Sequence, residues 1–265
     1  MIGAIVGDYA GSAYEFNNTR NYDFEMIAPE NSITDDSIMT VAVMDAILQS
    51  KSYGEWLRYW GNKYPNPKGG YGASFSGWLR SNNPQPYNSF GNGSAMRVSA
   101  IGWAFDTLDR TLQEAQKSAA CTHSHPEGIK GAQAVASAIY LLRNGKSKDF
   151  IKRCIEKEFD YDLSRKLSDI RPNYRFNESC MQTVPEAIIC YLESVGFEDT
   201  IRLAVSLGGD SDTLACIAGS IAEADRAYEI PTQVIDAAFL TMPAELQNIV
   251  EQFYLKFNIY SYGRF

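Results

Sequence analysis

The chain reads as an all-α protein, a single compact multi-helix domain spanning residues 1–265. Three observations predict this class. Apolar residues recur at helical spacing through most of the chain. No run of alternating β-branched residues bounded by turns is present to make a half-buried strand. Gly3, Gly7 and Gly11 recur every fourth residue and lay a bare stripe along one helix, which is how helices signal a close backbone neighbour. No internal repeat, low-complexity tract or linker divides the chain.

The elements follow in order. A first helix over 2–14 carries the glycine stripe, and its Asp8, Ser12 and Glu15 share another face. Acids on such a crowded apolar helix are costly unless something positive meets them. The stretch "SITDDSIMTVAV" opens a helix over 35–50, and a third helix covers 53–63. Residues 64–93, rich in Gly, Pro, Asn, Ser and aromatics, read as one long loop of the kind that often carries function. A Gly-Asn-Gly turn in "FGNGSAMRVSAIG" then runs into a helix over 93–105, whose Arg97 reads as a buried ion-pair partner for an acid. Helices over 109–121 and 127–143 flank the turn in "CTHSHPEGIKGAQAV", and others cover 147–158, 181–195 and 198–207. "LGGDSDT" opens a helix over 211–227, and a last long helix runs over 232–256.

Composition excludes several function classes. Of 265 residues, 45% are apolar and 21% charged, which is usual for a globular protein. The net charge of −8 leaves no clustered basic face for nucleic acid. Five cysteines, an odd number without a C-x-x-C pair, argue against a disulfide framework or thiolate zinc site and fit reduced thiols in a cytoplasm. The apolar start lacks a basic leader and reaches Asp8 quickly, and no apolar run is long enough to span a bilayer. The expectation is a cytoplasmic monomer with no membrane partner.

The chemistry concentrates at two helix starts. Thr34-Asp35-Asp36 and Asp210-Ser211-Asp212-Thr213 each combine a threonine with two aspartates. Capping accounts for either segment taken singly, since Thr34 and Asp210 suit an N-cap and early carboxylates suit the positive end of the helix dipole. Taken together, two such clusters facing each other would form a ring of hard oxygens that repel unless cations sit between them. With only His123 and His125 and no cysteine pair, the donor set points to Mg²⁺, Mn²⁺ or Ca²⁺ over Zn²⁺. The Gly-Asn-Gly turn reads equally as a phosphate cradle or as a simple turn. His123 reads as a substrate contact, a proton carrier or a helix-end histidine, and His125 as turn material.

At this point the chain resembles a known family. "GDYAGSAYE" (7–15), "TDDS" (34–37), "GNGSAMR" (91–97), "THSHP" (122–126) and "LGGDSDT" (207–213) are similar to the ADP-ribosylglycohydrolases, in the family's order, from residue 1 to about 228. The resemblance implies an all-α fold with a binuclear Mg²⁺ or Mn²⁺ centre in a central cleft. It implies hydrolysis of the glycosidic bond that joins ADP-ribose to a modified protein side chain, of arginine or serine type. By position it implies Thr34, Asp35, Asp36, Asp210, Asp212 and Thr213 as metal ligands, with Glu15 and Asp36 as catalytic candidates. Asn92, Gly93, Ser94 and His123 would line the ADP-ribose cleft. Two features depart from the pattern: Ser89 stands where arginine-specific relatives often carry an acid, and Ser179, Cys180 or Met181 stands where many members place an adenine-stacking aromatic, with Phe176 nearby. The alternatives are a hydrolase of a small free ADP-ribosyl compound, or a non-catalytic ADP-ribose binder on the same scaffold.

Overall fold

Two helices set the frame. In the computed structural model, which describes residues 1–259, α1 (Ile2–Gly11) and α13 (Ser211–Ala222) are buried along their whole lengths. They pack backbone to backbone through the glycine stripe. A methyl group at Gly3 or Gly7 would overlap the carbonyl oxygen of Gly219 or Ala215, and one at Gly11 would stand 2.5 Å from Asp212 Cα. Residues 260–265, the end of the predicted single domain, lie outside the described residues.

Around this pair stand α2 (Asp35–Leu48), α3 (Tyr53–Lys63), α4 (Ala73–Arg80), α5 (Gly93–Met96) and α6 (Ser99–Ala104), then α7 (Leu108–Ala120), α8 (Pro126–Arg143), α9 (Lys148–Phe159) and α10 (Leu167–Ile170). The chain closes with α11 (Cys180–Glu193), α12 (Phe197–Leu207), α14 (Thr232–Thr241) and α15 (Ala244–Lys256). Among the described residues there are no strands, only isolated bridges joining Thr34 to Lys68 and Gly91 to Ser179. α13 packs against α1, α11, α12 and α2, so the starts of α2 and α13 come together beside the end of α1.

The structure corrects several expected boundaries. α1 stops at Gly11, so Glu15 lies in the turn that follows and not on the helix face shared with Asp8. The loop expected over 64–93 holds α4, whose Phe75, Trp78 and Leu79 recur at helical spacing and are buried. The helix expected over 93–105 breaks between α5 and α6 at Arg97–Val98. The helix expected over 232–256 is two: Pro243 caps α15, and Met242 before it is extended (φ −90°, ψ 131°), because the residue before proline is pushed out of the helical region. The short α10 was not expected; its four residues are too few to show a period. His125 does more than turn the chain: it caps α8, its Nδ1 accepting from Glu127 N at 3.1 Å, with Pro126 at the first helical position.

Candidate active site

Three anchors bring the acidic segments together. The first is Asp8 in the middle of the glycine helix. Its Oδ1 accepts from Thr34 Oγ1 at 2.7 Å, and its Oδ2 accepts from Thr34 N at 2.9 Å, Ser37 N at 3.1 Å and Ser37 Oγ. What meets this acid is therefore a set of neutral donors, and they fix the start of α2 against α1. The second anchor is Asn18, whose amide bonds Tyr14 O, Glu15 O and both backbone groups of Gly209. It holds the Glu15 turn to the Gly208–Gly209 corner, where both glycines have positive φ (74° and 78°) that other residues adopt at a cost. The third is Asn92, whose Nδ2 donates to Asp210 Oδ2 at 2.6 Å and to Thr183 Oγ1 at 3.1 Å.

The two helix starts differ in a way that bears on capping. Thr34 caps α2 in the usual manner, its Oγ1 accepting from Asp36 N at 3.2 Å. Asp210 stands at the N-cap of α13 but makes no standard side-chain capping bond; its carboxylate turns to Asn92. The clusters meet directly, for Thr213 Oγ1 donates to Asp36 Oδ2 across 3.2 Å.

The acids form two overlapping triads. Oxygens of Asp8, Asp36 and Asp212 lie within 4.8 Å of one another, as do those of Glu15, Asp210 and Asp212, so Asp212 belongs to both. Asp8 already receives four hydrogen bonds, so we read it as the residue that orients Thr34 and Ser37. Among the described residues the buried Oδ1 of Asp36 has no hydrogen-bond partner. Burial, and after it the charges of neighbouring acids, push the carboxyls of Asp35, Asp36 and Asp212 well above the usual range. Asp8 and Asp210 are also raised, by burial, against the pull of their hydrogen bonds. Glu15, half-buried, is pushed up to about 7 by burial and by Asp210. Among the described residues no lysine or arginine forms an ion pair with any of these acids. A buried acid set with an unpartnered oxygen and no paired base fits a hard divalent cation.

The acids form the floor of a cavity of about 330 Å³. Glu15, Asp35, Asp36, Asp210, Asp212 and Thr213 line it, and Thr34 lies behind them, held to Asp8. Asn92, Gly93 and His123 line it as well. Ser94 does not reach the cavity wall; its hydroxyl donates to Gly128 O at 2.7 Å. His123 is buried, bonded through Nδ1 to Thr122 Oγ1 at 2.8 Å, and packed over Gly91 and Gly93. Burial and then Arg97 hold its pKa well below the usual value, so the ring is neutral and suits hydrogen bonding more than acid donation. Among the described residues Arg97 pairs with no acid. It lines the cavity and donates to Ser118 O and Thr122 Oγ1, each at 2.8 Å. Phe176 is exposed and stacks on Phe16, ring centres 6.2 Å apart.

Sequence reasoning passed over Asn18, Ser37, Lys68 and Gly69. Gly69 has φ 77° and approaches Glu15, since a Cβ there would lie 2.8 Å from Glu15 Oε2. Lys68 Nζ reaches Glu30 O and, at 3.3 Å, Ser12 Oγ. The adjacent Gly69 and Gly70, both with positive φ, are a local signal of a tight turn there.

Fold and site together define a class: an all-helical enzyme built around one acid-lined cleft. A family model for ADP-ribosylglycohydrolases matches residues 1–259. The chain is 26% identical over 302 aligned positions to the mouse protein "ADP-ribosylhydrolase ARH3", covering 84% of this chain and 82% of that one, and 24% identical to its human counterpart, covering 84% and 83%. It is 22% identical to "ADP-ribosylarginine hydrolase Tri1" of Pseudomonas putida, covering 84% of this chain and 68% of that protein. A solved structure described as "ADP-ribosylglycohydrolase-related protein complex" superposes with TM-score 0.73 over 96% of each chain at 21% identity, which speaks for the fold alone. This chain belongs to the ADP-ribosylglycohydrolase family and is a glycosyl hydrolase. The family is metal-dependent and acts on ADP-ribosylated substrates. No helix among the described residues is long and apolar enough to cross a membrane.

Proposed function

We propose that this enzyme removes ADP-ribose from a modified protein side chain, of arginine or serine type, by hydrolysing the glycosidic bond at the ribose anomeric carbon. The observation that carries the reading is Asp36 Oδ1, buried without a partner among acids with no base paired to them. Two Mg²⁺ or Mn²⁺ ions would be held by Thr34, Asp35, Asp36, Asp210, Asp212 and Thr213. When bound, such ions would offset part of the charge of the acids, orient ribose oxygens and make a water more acidic.

The chain's own residues supply the rest. Asp8 takes the Thr34 hydroxyl proton in a hydrogen bond and so turns an oxygen lone pair of Thr34 away from itself. Asn92 fixes the Asp210 carboxylate and, with Gly93 and the neutral His123, offers polar groups to the ADP-ribose. Cleavage passes through an oxocarbenium-like state that needs an anion nearby, which Asp36 and its neighbours provide. The water oxygen bonds to the anomeric carbon as the bond to the acceptor breaks, and a proton passes to the leaving side chain. Glu15, with its carboxyl at about 7, is matched to exchanging that proton near neutral pH. In this reading residues 1–265 work as one domain and as a monomer. The test is release of ADP-ribose from a modified protein by Asp35→Ala, Asp36→Ala and Asp212→Ala. Each is expected to abolish release, and full activity in any of them would overturn the assignment.

A further inference from the structure

A second cavity, of about 700 Å³, lies between the start of α8, the loop after α9, α10 and the first half of α11. It is separate from the acid-lined cleft, shares no lining residue with it, and takes no part in the hydrolysis described above. Its size is that of a small-molecule or side-chain pocket.

Its charge is unbalanced. Glu127, Asp160, Asp162, Asp169 and Glu186 line it, against Lys130 and Arg165. Both bases are already engaged. Lys130 pairs with Glu127 at 2.8 Å and lies over the Tyr161 ring, 4.7 Å from its centre. Arg165 pairs with Glu186 Oε1 at 2.7 Å. Asp160 and Asp169 have no ion pair among the described residues.

Two buried atoms in this wall lack partners. Glu186 is 4% exposed and Tyr161 6% exposed, and among the described residues neither Glu186 Oε2 nor the Tyr161 hydroxyl makes a hydrogen bond. A buried carboxylate oxygen without a donor is costly, and a cationic donor relieves that cost best. Beside these atoms Ile170, Met181 and Pro185 add apolar surface that suits a methylene stem.

We propose that this cavity binds an alkylammonium or alkylguanidinium group, its cationic head set against Glu186 and Tyr161 and its stem along Ile170, Met181 and Pro185. The cation is supplied either by a free aminoalkylguanidine or by an arginine side chain of another protein. The bound head donates to Glu186 Oε2, and the Tyr161 hydroxyl accepts from it. Lys130 over the Tyr161 ring already shows that a cation is accommodated against this wall.

The test is an NMR titration of the full isotope-labelled chain with agmatine, and in parallel with N-acetyl-arginine amide. Saturable shifts are expected at residues 160–174 and 181–186. Tyr161→Phe and Glu186→Gln are each expected to weaken binding at least tenfold, and Asp212→Asn, in the cleft, to leave it within twofold. Binding of N-acetyl-arginine amide, with or without agmatine, assigns a protein side chain, and binding of agmatine alone assigns a free aminoalkylguanidine. Absence of saturable shifts in those segments, or binding unchanged in Tyr161→Phe, overturns the proposal. Should Glu186→Gln fail to fold, Tyr161→Phe decides, because the hydroxyl it removes has no hydrogen bond to lose.

Discussion

Asp36→Asn separates stability from activity. Asp36 is 2% exposed, and its Oδ1 has no hydrogen-bond partner. Burial and the charges of Asp8, Asp35 and Asp210 raise its pKa well above the usual value. In metal-free protein this acid is therefore a net burden, because it is either buried ionised or takes up a proton on folding. An amide of the same shape keeps the acceptor for Thr213 Oγ1 and gains a donor that neighbouring acids can accept. Satisfying a buried polar atom of this kind is worth ~1–3 kcal/mol. For a chain of this size each kcal/mol moves the melting point by about 2–4 °C, so Asp36→Asn is expected to melt roughly 2–12 °C above wild type in EDTA. Cation at one hundred times its dissociation constant stabilises wild type by about 2.7 kcal/mol, roughly 5–11 °C on the same scale. The variant should lose most of that gain. The assay is a thermal melt of both proteins with EDTA and with a Mn²⁺ series. A variant that melts below wild type in EDTA, or gains as much from Mn²⁺, would refute the reasoning.

Other predictions follow from the same geometry. Gly7→Ala, which drives a methyl into the Ala215 carbonyl, should cost about 3 kcal/mol, read from urea unfolding; an unchanged midpoint contradicts the close helix contact. Glu15→Gln should lower kcat/KM by roughly 10²–10⁴ in a steady-state assay of ADP-ribose release, and a loss under twofold removes Glu15 from the chemistry. Glu15 rises from 4.5 to about 7 on folding, and Asp35, Asp36 and Asp212 rise from 3.8, so the folded metal-free chain binds more protons than the unfolded one in that window. Its stability must then fall as pH rises from about 5 to 7, and metal binding must release protons. Melts in EDTA across that range and calorimetry in two buffers test this, and a melting point that rises with pH contradicts it. Asn18→Ala frees both the Glu15 turn and Gly209 and should lower kcat more than it raises KM.

Much of this was legible in the sequence because it rests on spacing and residue chemistry. The glycine stripe foretold a close backbone neighbour for α1, and the structure shows that neighbour to be α13. The hard-oxygen pattern at 34–36 and 210–213 foretold that the two helix starts would meet. The breaks at Arg97–Val98 and Pro243 were missed for different reasons. The first depends on tertiary hydrogen bonds of a buried arginine. The second was a local proline signal overridden by the apolar period on both sides. Arg97 itself was misread because a buried arginine usually implies an acid, and here a backbone carbonyl and a threonine take that place. Asp8 looked like a charge in need of a cation, and hydroxyls and amides from a segment 26 residues away satisfy it. Asn18 gave no sign, because the contact that joins the Glu15 turn to the glycine corner is with Gly209, 191 residues away.

The most direct measurement is incubation of the wild-type chain with arginine-linked and serine-linked ADP-ribosyl proteins, each in Mg²⁺, Mn²⁺ or EDTA, with released ADP-ribose quantified. The account predicts release from at least one linkage with a divalent cation and none in EDTA. Full release in EDTA, or no release from either linkage with either ion, would contradict it.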